Sequence, residues 1–141
     1  MIARGIRNNN PANIRRGSNW KGLKLAQTDK EFCQFVSMYY GIRALIIVLR
    51  TYVTVHGLHT IRQIISRWAP PEDNNHTDKY IEYVERRLWN DLQEKDVSLT
   101  IDDFSPKQCK RLFVICQAMC MMESHYFLKA EEFLHVIRTM R

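Results

Sequence analysis

Apolar residues recur at the spacing of amphipathic helices from Gly41 almost to the end of the chain. The first stripe predicts a helix that ends near His56 and Gly57. Its members are Ile42, Leu45, Ile46, Leu49, Tyr52 and Val53. Thr60 and Gln63 form a capping-box pattern that starts a second helix, and a pair of prolines ends it.

Three more helices are predicted beyond the polar loop at residues 72–76. Thr77 is expected to cap the first of them. Ser105 and Pro106 give the next helix an N-cap and a proline at its first position, and the last helix begins near Ala130. We therefore expect about five helices around one core. The residues expected inside it are Ile42, Leu45, Ile46, Leu49, Ile61, Ile65, Trp68, Val84, Phe113, Cys116 and Ile137.

Residues 1–36 are polar and rich in turn-forming residues, with only short apolar pieces. This composition predicts loops with a small hairpin. Because the chain has no internal repeat and no long linker, we expect residues 1–141 to form a single domain. A turn-rich lobe (1–36) would accompany a helical part (37–141). The predicted fold class is therefore mainly α, with a small irregular or β-containing N-terminal lobe.

Composition and charge narrow the range of partners. The 141 residues are 45% hydrophobic, enough for one compact core, and the formal net charge is +6. A basic chain favours polyanionic partners such as nucleic acid, anionic lipid or an acidic cell-wall polymer. Nucleic acid is disfavoured, because the sequence has no recognition helix, zinc finger or RNP-type aromatic strand. No stretch approaches the roughly 20 apolar residues of a membrane span.

The start of the chain and the cysteines bear on the compartment. Residues 1–5 lack the apolar segment of a secretory signal, so we expect a protein that is cytoplasmic at synthesis and reaches a virion or the cell wall by another route.

Of the four cysteines, Cys109, Cys116 and Cys120 share one predicted helix face, which favours free core thiols. The alternative, a metal site on Cys116 and Cys120, lacks a CxxC pair. We expect no metal and no cofactor.

Glu123 is the strongest candidate for a catalytic group. It occupies the next position on the apolar stripe of the fourth predicted helix. That stripe comprises Cys109, Leu112, Phe113, Cys116, Met119 and Cys120. A carboxyl group on a buried helix face resists ionisation, so its pKa rises toward the range of a general acid. The alternative is a helix that frays at Met122 and leaves Glu123 solvated or capping the next turn.

An amide-rich segment near the N-terminus is the candidate binding site. Asn8, Asn9, Asn10 and Asn13 lie close together, and Trp20 follows them. Asparagine side chains favour turns in which they bond to the backbone, and they also offer donors and acceptors to a sugar. Trp20 would serve either as a lid on a small core or as a platform for a sugar ring. The sequence leaves both interpretations open.

The order of motifs over roughly the first 85 residues resembles a family of phage and prophage proteins. The motifs are RGIRNNNPANIR at 4–15, WKG at 20–22, YGIRA at 40–44 and RWAPP at 67–71. Members of that family are described as virion or structural proteins, or as peptidoglycan hydrolases. The resemblance implies association with a phage and leaves the activity open.

A second, weaker resemblance implies a chemistry. The segment 9–14, followed by Trp20 and Gly22, is similar to the region after the catalytic glutamate in bacterial glucosaminidases of the lysozyme-like superfamily. There a helix ends in a glutamate that is often followed by serine, and here residues 122–124 (Met-Glu-Ser) offer this element in a permuted position. Because the termini of a domain often lie close together, Glu123 would then sit beside the Asn-rich loop. Ala12 departs from the glycine that related chains usually have.

The resemblance therefore implies a lysozyme-like domain that degrades peptidoglycan, as a glycosidase or a lytic transglycosylase with Glu123 as the general acid. Lytic transglycosylases, by resemblance, use one glutamate, whereas other glycosidases use two carboxyl groups. Asp29 and Glu31 are the candidates for the second, and the alternative, which a polar turn favours, is that both are surface charges. Glycan strands of peptidoglycan are the implied partner, with other virion or phage proteins beside them. The residues expected to bind the glycan are Asn8, Asn9, Asn10, Asn13 and Trp20. The alternative is a non-enzymatic phage structural or glycan-binding protein.

Overall fold

The helices that the hydrophobic pattern predicts are present, and a short helix precedes them. The computed structural model describes residues 2–141. Its α-helices are α1 (Arg4–Arg7), α2 (Met38–Thr54), α3 (Ile61–Trp68), α4 (Thr77–Leu92), α5 (Lys110–Ser124) and α6 (Ala130–Thr139). Two short 3-10 helices lie at Pro71–Asp73 and Ile101–Phe104. The prediction of a mainly helical fold is confirmed.

The chain between α1 and α2 forms the irregular N-terminal lobe. In the part of this lobe that the structure describes, strand-like pairing is limited to isolated antiparallel bridges, Arg15 with Phe32 and Leu23 with Phe35. The Gln27 side chain accepts from the backbone N–H of Gln34 at 2.9 Å and donates to its carbonyl oxygen at 2.8 Å. The Gln27 side chain thus takes the N–H of Gln34, whose carbonyl oxygen also accepts from the backbone N–H of Lys24 at 2.9 Å. The predicted hairpin is reduced to single bridges.

Helix α5 lies at the centre of the helical part. It packs along α4 and contacts α1. Its buried residues are Leu112, Val114, Ile115, Cys116, Gln117, Ala118, Met119, Cys120 and Ser124. The single stripe identified in the sequence is therefore too narrow, because a helix that is apolar nearly all round is enclosed by its neighbours.

The helix starts test the predicted caps. The capping box of Thr60 and Gln63 is present, with each side chain accepting from the other residue's backbone N–H at 3.1 Å. The predicted cap at Ser105 is wrong, because the chain leaves the preceding 3-10 helix in an extended conformation there and α5 begins only at Lys110. Thr77 is the first residue of α4 rather than its N-cap, and its hydroxyl donates to the carbonyl oxygen of Ala69.

One hydrophobic cluster joins the lobe to the helices. The residues expected in the core are buried, except that Trp68 and Phe113 are only half-buried. The same cluster includes Ala12, Ile14 and Phe35 of the lobe, so the lobe packs on the helical core. All four cysteines are buried as free thiols. Among residues 2–141, no helix combines the length and the apolar composition needed to cross a bilayer.

Candidate functional site

Glu123 lies in the last turn of α5, and the helix does not fray before it. His125 takes a left-handed conformation with φ of 52°, and its N–H bonds to the carbonyl oxygen of Met121 at 2.9 Å. The N–H of Tyr126 bonds to the carbonyl oxygen of Cys120 at 3.2 Å. These bonds satisfy the last carbonyl groups of the helix, as a left-handed cap does. Glu123 is therefore held on the helix and is half-buried.

Three other segments of the chain contribute donors to Glu123. The indole N–H of Trp68, at the end of α3, donates to Oε2 at 3.0 Å. The hydroxyl of Tyr80, in the first turn of α4, donates to the same oxygen at 3.1 Å. The amide Nδ2 of Asn13 lies 3.0 Å from the backbone carbonyl oxygen of Glu123 and 3.5 Å from Oε1.

These surroundings raise the pKa of Glu123 above its ordinary value of 4.5. Burial disfavours the charged carboxylate and outweighs the opposing effects of the hydrogen bonds from Trp68, Tyr80 and Asn13 and of the positive charge of Arg15. Burial and the adjacent Glu123 also raise the pKa of Tyr80 well above its ordinary value. The phenol therefore keeps its proton near neutral pH and acts as a donor.

Glu123 opens onto a cleft of about 330 Å³ between the N-terminal lobe and the helices. Aromatic side chains, amides, one arginine and two carboxyl groups line it. The lining residues are Asn13, Ile14, Arg15, Ser18, Trp20, Phe32, Val48, Tyr52, Trp68, Ala69, Asp73, Asn75 and Glu123. The cleft combines flat apolar faces with a few polar groups, as sites for small ligands commonly do.

The asparagines proposed from the sequence fall into two groups. Asn13 lines the cleft, as does Trp20. Asn10 is fully buried, donating to the carbonyl oxygens of Ile14 and Cys33 at 2.9 Å and accepting from the Ile14 N–H at 2.9 Å.

Asn8 and Asn9 also bond within the lobe. Asn8 is buried, donates to Asp29 at 3.0 Å and accepts from Gln34 at 3.1 Å. Asn9 donates to the carbonyl oxygen of Phe35 at 3.0 Å. These side chains shape the loop that presents Asn13, and they lie outside the lining of the cleft.

Close packing brings this loop against the end of α5. A Cβ atom added at Gly5 would lie 2.0 Å from Oγ of Ser124 and 2.8 Å from Oδ1 of Asn13. Only glycine allows α1 to approach Ser124 so closely, since any side chain would collide. Gly5 of the Arg-Gly-Ile-Arg segment thus allows α1 to pack closely against Ser124 of the Met-Glu-Ser segment.

The two candidates for a second carboxyl group, Asp29 and Glu31, lie elsewhere. Asp29 forms two hydrogen bonds of 2.6 Å to the guanidinium of Arg4, which lowers the pKa of Asp29 well below its ordinary range. Glu31 is exposed and lies 3.3 Å from Arg4 and 3.6 Å from Arg15. Neither carboxyl group lines the cleft, whereas Asp73 does.

Sequence reasoning also missed the roles of Trp68 and Tyr80. Both fall on apolar helix stripes, a pattern that favours packing in the core. The sequence offers one indication of these roles, because the N–H of a buried tryptophan and the hydroxyl of a buried tyrosine each need a hydrogen-bond partner. A carboxyl group is a suitable acceptor for both. Among residues 2–141, no cluster of three or more His, Cys, Asp or Glu side chains is arranged to hold a metal ion.

Comparison with known proteins supports a link to phages. No model of a known protein family matches the chain. The chain is 46% identical over 86 residues to Protein P5 of Pseudoalteromonas phage PM2, a match that covers 58% of this chain and 53% of that protein. The matched part thus spans about half the length of this relative. Over that part, the chain is similar to a phage protein.

Proposed function

We propose that the protein cleaves the glycan strands of peptidoglycan, as a glycosidase or lytic transglycosylase of a phage or prophage, with Glu123 as the general acid. One observation carries this proposal. The carboxyl group of Glu123 opens onto a ligand-sized cleft, and its surroundings raise its pKa. A carboxylic acid that keeps its proton closer to neutral pH is what protonation of a glycosidic oxygen requires.

In the first step, protonated Glu123 gives its proton to the oxygen of the scissile glycosidic bond. The bond between that oxygen and the anomeric carbon breaks, and positive charge develops on the sugar ring. The electron pair of the bond leaves with the departing hydroxyl group. The resulting Glu123 carboxylate is stabilised by Trp68 and Tyr80, which donate to Oε2.

In the second step, a hydroxyl group attacks the anomeric carbon and gives its proton to the Glu123 carboxylate, which restores the acid. If the hydroxyl belongs to the same sugar, the product is an anhydro-sugar and one glutamate is enough. If the nucleophile is instead a water activated by a second carboxylate, that carboxylate takes the proton of the water and Glu123 is reprotonated from solvent. Asp73 is the candidate for that group, because it lines the same cleft.

The cleft suits a carbohydrate chain that carries carboxylates. Trp20 and Tyr52 offer flat faces on which sugar rings can stack, and Asn13 and Asn75 offer amide groups for hydroxyl and acetamido substituents. Arg15 is an exposed cation beside them, and the net charge of the chain is +6. Charge and lining together favour an anionic wall polymer over a neutral glycan. Similarity to a phage protein provides a setting in which wall cleavage is useful.

The test is cleavage of purified peptidoglycan by the wild type and by Glu123→Gln. Glu131→Gln is the matched control, because Glu131 is exposed on α6. We expect soluble glycan fragments from the wild type and the control, and none from Glu123→Gln. Mass spectrometry of the ends distinguishes anhydro-sugars from hydrolysed ends. Binding to peptidoglycan without any fragments would refute the enzyme and support the non-enzymatic, glycan-binding alternative.

A further inference from the structure

The two oxygens of the Glu123 carboxyl group have unequal surroundings. Oε2 accepts from the indole N–H of Trp68 at 3.0 Å and from the hydroxyl of Tyr80 at 3.1 Å. In the described part of the chain, residues 2–141, the one donor to Oε1 is the amide Nδ2 of Asn13 at 3.5 Å. The shorter hydrogen bond of this amide, 3.0 Å, goes to the backbone carbonyl oxygen of Glu123. The indole nitrogen can only donate, so Oε2 must act as an acceptor toward Trp68.

We propose that Trp68 and Tyr80 are positioning residues that keep Oε2 as an acceptor and so place the acidic proton of Glu123 on Oε1. An oxygen that already accepts two hydrogen bonds has both lone pairs engaged and none free for a proton, whereas Oε1 keeps one available. The inference rests on the proposed function for its catalytic meaning. The arrangement itself can be measured without a substrate.

Both donors are fixed by the fold. Tyr80 is buried in the first turn of α4, and its raised pKa keeps the hydroxyl protonated near neutral pH. Trp68 is the last residue of α3, a helix whose apolar side is buried in the core, and the buried Ala69 follows it. Helices α3 and α4 pack on each other, and α4 packs on α5. The three side chains therefore meet through the main helix contacts of the domain.

The remaining charged and titratable groups around Glu123 act less directly. Arg15 favours the carboxylate through space, and Asp73 lines the same cleft. Cys120 lies one turn earlier on α5, and burial raises its pKa far above its ordinary value. Burial also raises the pKa of Tyr52, so Cys120 and Tyr52 are both neutral near neutral pH. Among residues 2–141, the groups that donate directly to the carboxylate are those of Trp68, Tyr80 and Asn13.

The experiment is an NMR titration of the Glu123 carboxyl carbon in protein labelled with ¹³C at glutamate side chains. The Glu123 signal is assigned by its disappearance in Glu123→Gln. Tyr80→Phe and Trp68→Phe each remove one donor to the charged form, so each should raise the pKa of Glu123. The acid dissociation constant should fall about tenfold, as expected for one hydrogen bond to a charged group.

Tyr83→Phe is the matched control, because Tyr83 is on the same helix and its hydroxyl accepts from Arg87 at 3.3 Å. This variant should leave the Glu123 titration unchanged. Circular dichroism checks that each variant is folded, and Trp68→Phe carries the test if Tyr80→Phe unfolds. A Glu123 pKa that stays the same or falls in a folded donor variant would overturn the proposal.

The same variants separate this inference from the proposed function. If the wild type cleaves peptidoglycan, the alkaline limb of its pH–rate profile should move to higher pH in Tyr80→Phe, in step with the NMR value. If no cleavage occurs but the NMR shifts appear, the proposed function fails, and the bonding of Trp68 and Tyr80 to the Glu123 carboxylate, from which the position of the proton is inferred, stands. A purely structural role for Tyr80 would lower stability without moving either titration.

Discussion

Asn13 links the N-terminal loop to the last turn of α5 through a bond of 3.0 Å from its Nδ2 to the backbone carbonyl oxygen of Glu123. The residue has a φ of 55°, a left-handed conformation that asparagine tolerates better than most residues. Asn10 lies three positions earlier and is fully buried. The same loop thus contains one amide that supports its shape and one that faces the candidate catalytic carboxyl group.

Asn10→Ala should therefore mainly lower stability, and Asn13→Gly should mainly weaken ligand binding. Asn10→Ala leaves buried backbone groups of Ile14 and Cys33 without partners, so the free energy of unfolding should fall by about 2–4 kcal/mol. Asn13→Gly keeps the positive φ and should cost less stability, but it should weaken binding of peptidoglycan fragments. Urea unfolding and a binding titration measure the two effects. Loss of binding by a fully stable Asn10→Ala protein would contradict this division of roles.

Leu49→Ala should be strongly destabilising. Leu49 is fully buried in α2, the helix that packs against α6. Removing a buried leucine side chain costs about 2–5 kcal/mol through lost apolar burial and a residual cavity. Leu25→Ala is the matched control, because Leu25 is fully exposed and should change stability very little. Equal unfolding midpoints for the two variants in urea would show that α2 is not central to the core.

The sequence predicts the helices well because their apolar stripes repeat over many residues. Helix starts are harder to predict, since Ser105 and Pro106 match a capping pattern but the preceding 3-10 helix delays α5 to Lys110. In the site, Glu123 could be found from its place on the stripe. The role of Trp68 could not be distinguished from packing in the core. Its indole N–H donates to Glu123 at the end of α5, and the sequence alone does not show that these two helix ends lie together.

The loop asparagines illustrate the same limit. Asn8, Asn10 and Asn13 are alike in sequence, and either backbone bonding or ligand binding explains such a run. Burial separates them, since Asn8 and Asn10 are enclosed and Asn13 lines the cleft. Burial is set by Phe35 and the core beneath the lobe, which local sequence does not reveal.

Asp29→Asn should lower stability in a pH-dependent manner. Arg4 and the backbone N–H of Phe32 hold the pKa of Asp29 far below its ordinary value of 3.8. A carboxyl group with a lowered pKa stabilises the folded state above the ordinary value, and that contribution is lost as the pH falls below it. The difference in melting temperature between wild type and Asp29→Asn should thus be large near neutral pH and shrink below pH 3.8.

Glu31→Gln is the control for this prediction. Glu31 also contacts Arg4, but its side chain is 55% exposed against 7% for Asp29. An exposed ion pair contributes little, because solvent screens it. We expect the control to melt close to the wild type at every pH. A difference between wild type and Asp29→Asn that stays constant down to strongly acidic pH would argue against the ion pair as its cause.

Glu123→Gln should make the protein more stable near neutral pH. The raised pKa of Glu123 means that the folded state resists ionisation, whereas the unfolded chain ionises at the ordinary value of 4.5. Below that value both states hold the proton and the folded state bears no penalty. As the pH rises through the higher folded pKa, this stability is lost in the wild type. Glutamine has no proton to lose, and its carbonyl oxygen can still accept from Trp68 and Tyr80.

The gain in unfolding free energy from Glu123→Gln should therefore be near zero below the ordinary pKa of 4.5 and grow as the pH rises above it. Urea unfolding at several pH values measures it, and the Asp29 contribution cancels because both proteins contain that residue. Increased stability combined with lost cleavage would show that Glu123 is needed for catalysis although it lowers the free energy of unfolding. A variant that is less stable than the wild type at pH 8 would mean that the hydrogen bonds to the carboxylate outweigh its burial, and the case for Glu123 as a general acid would weaken accordingly.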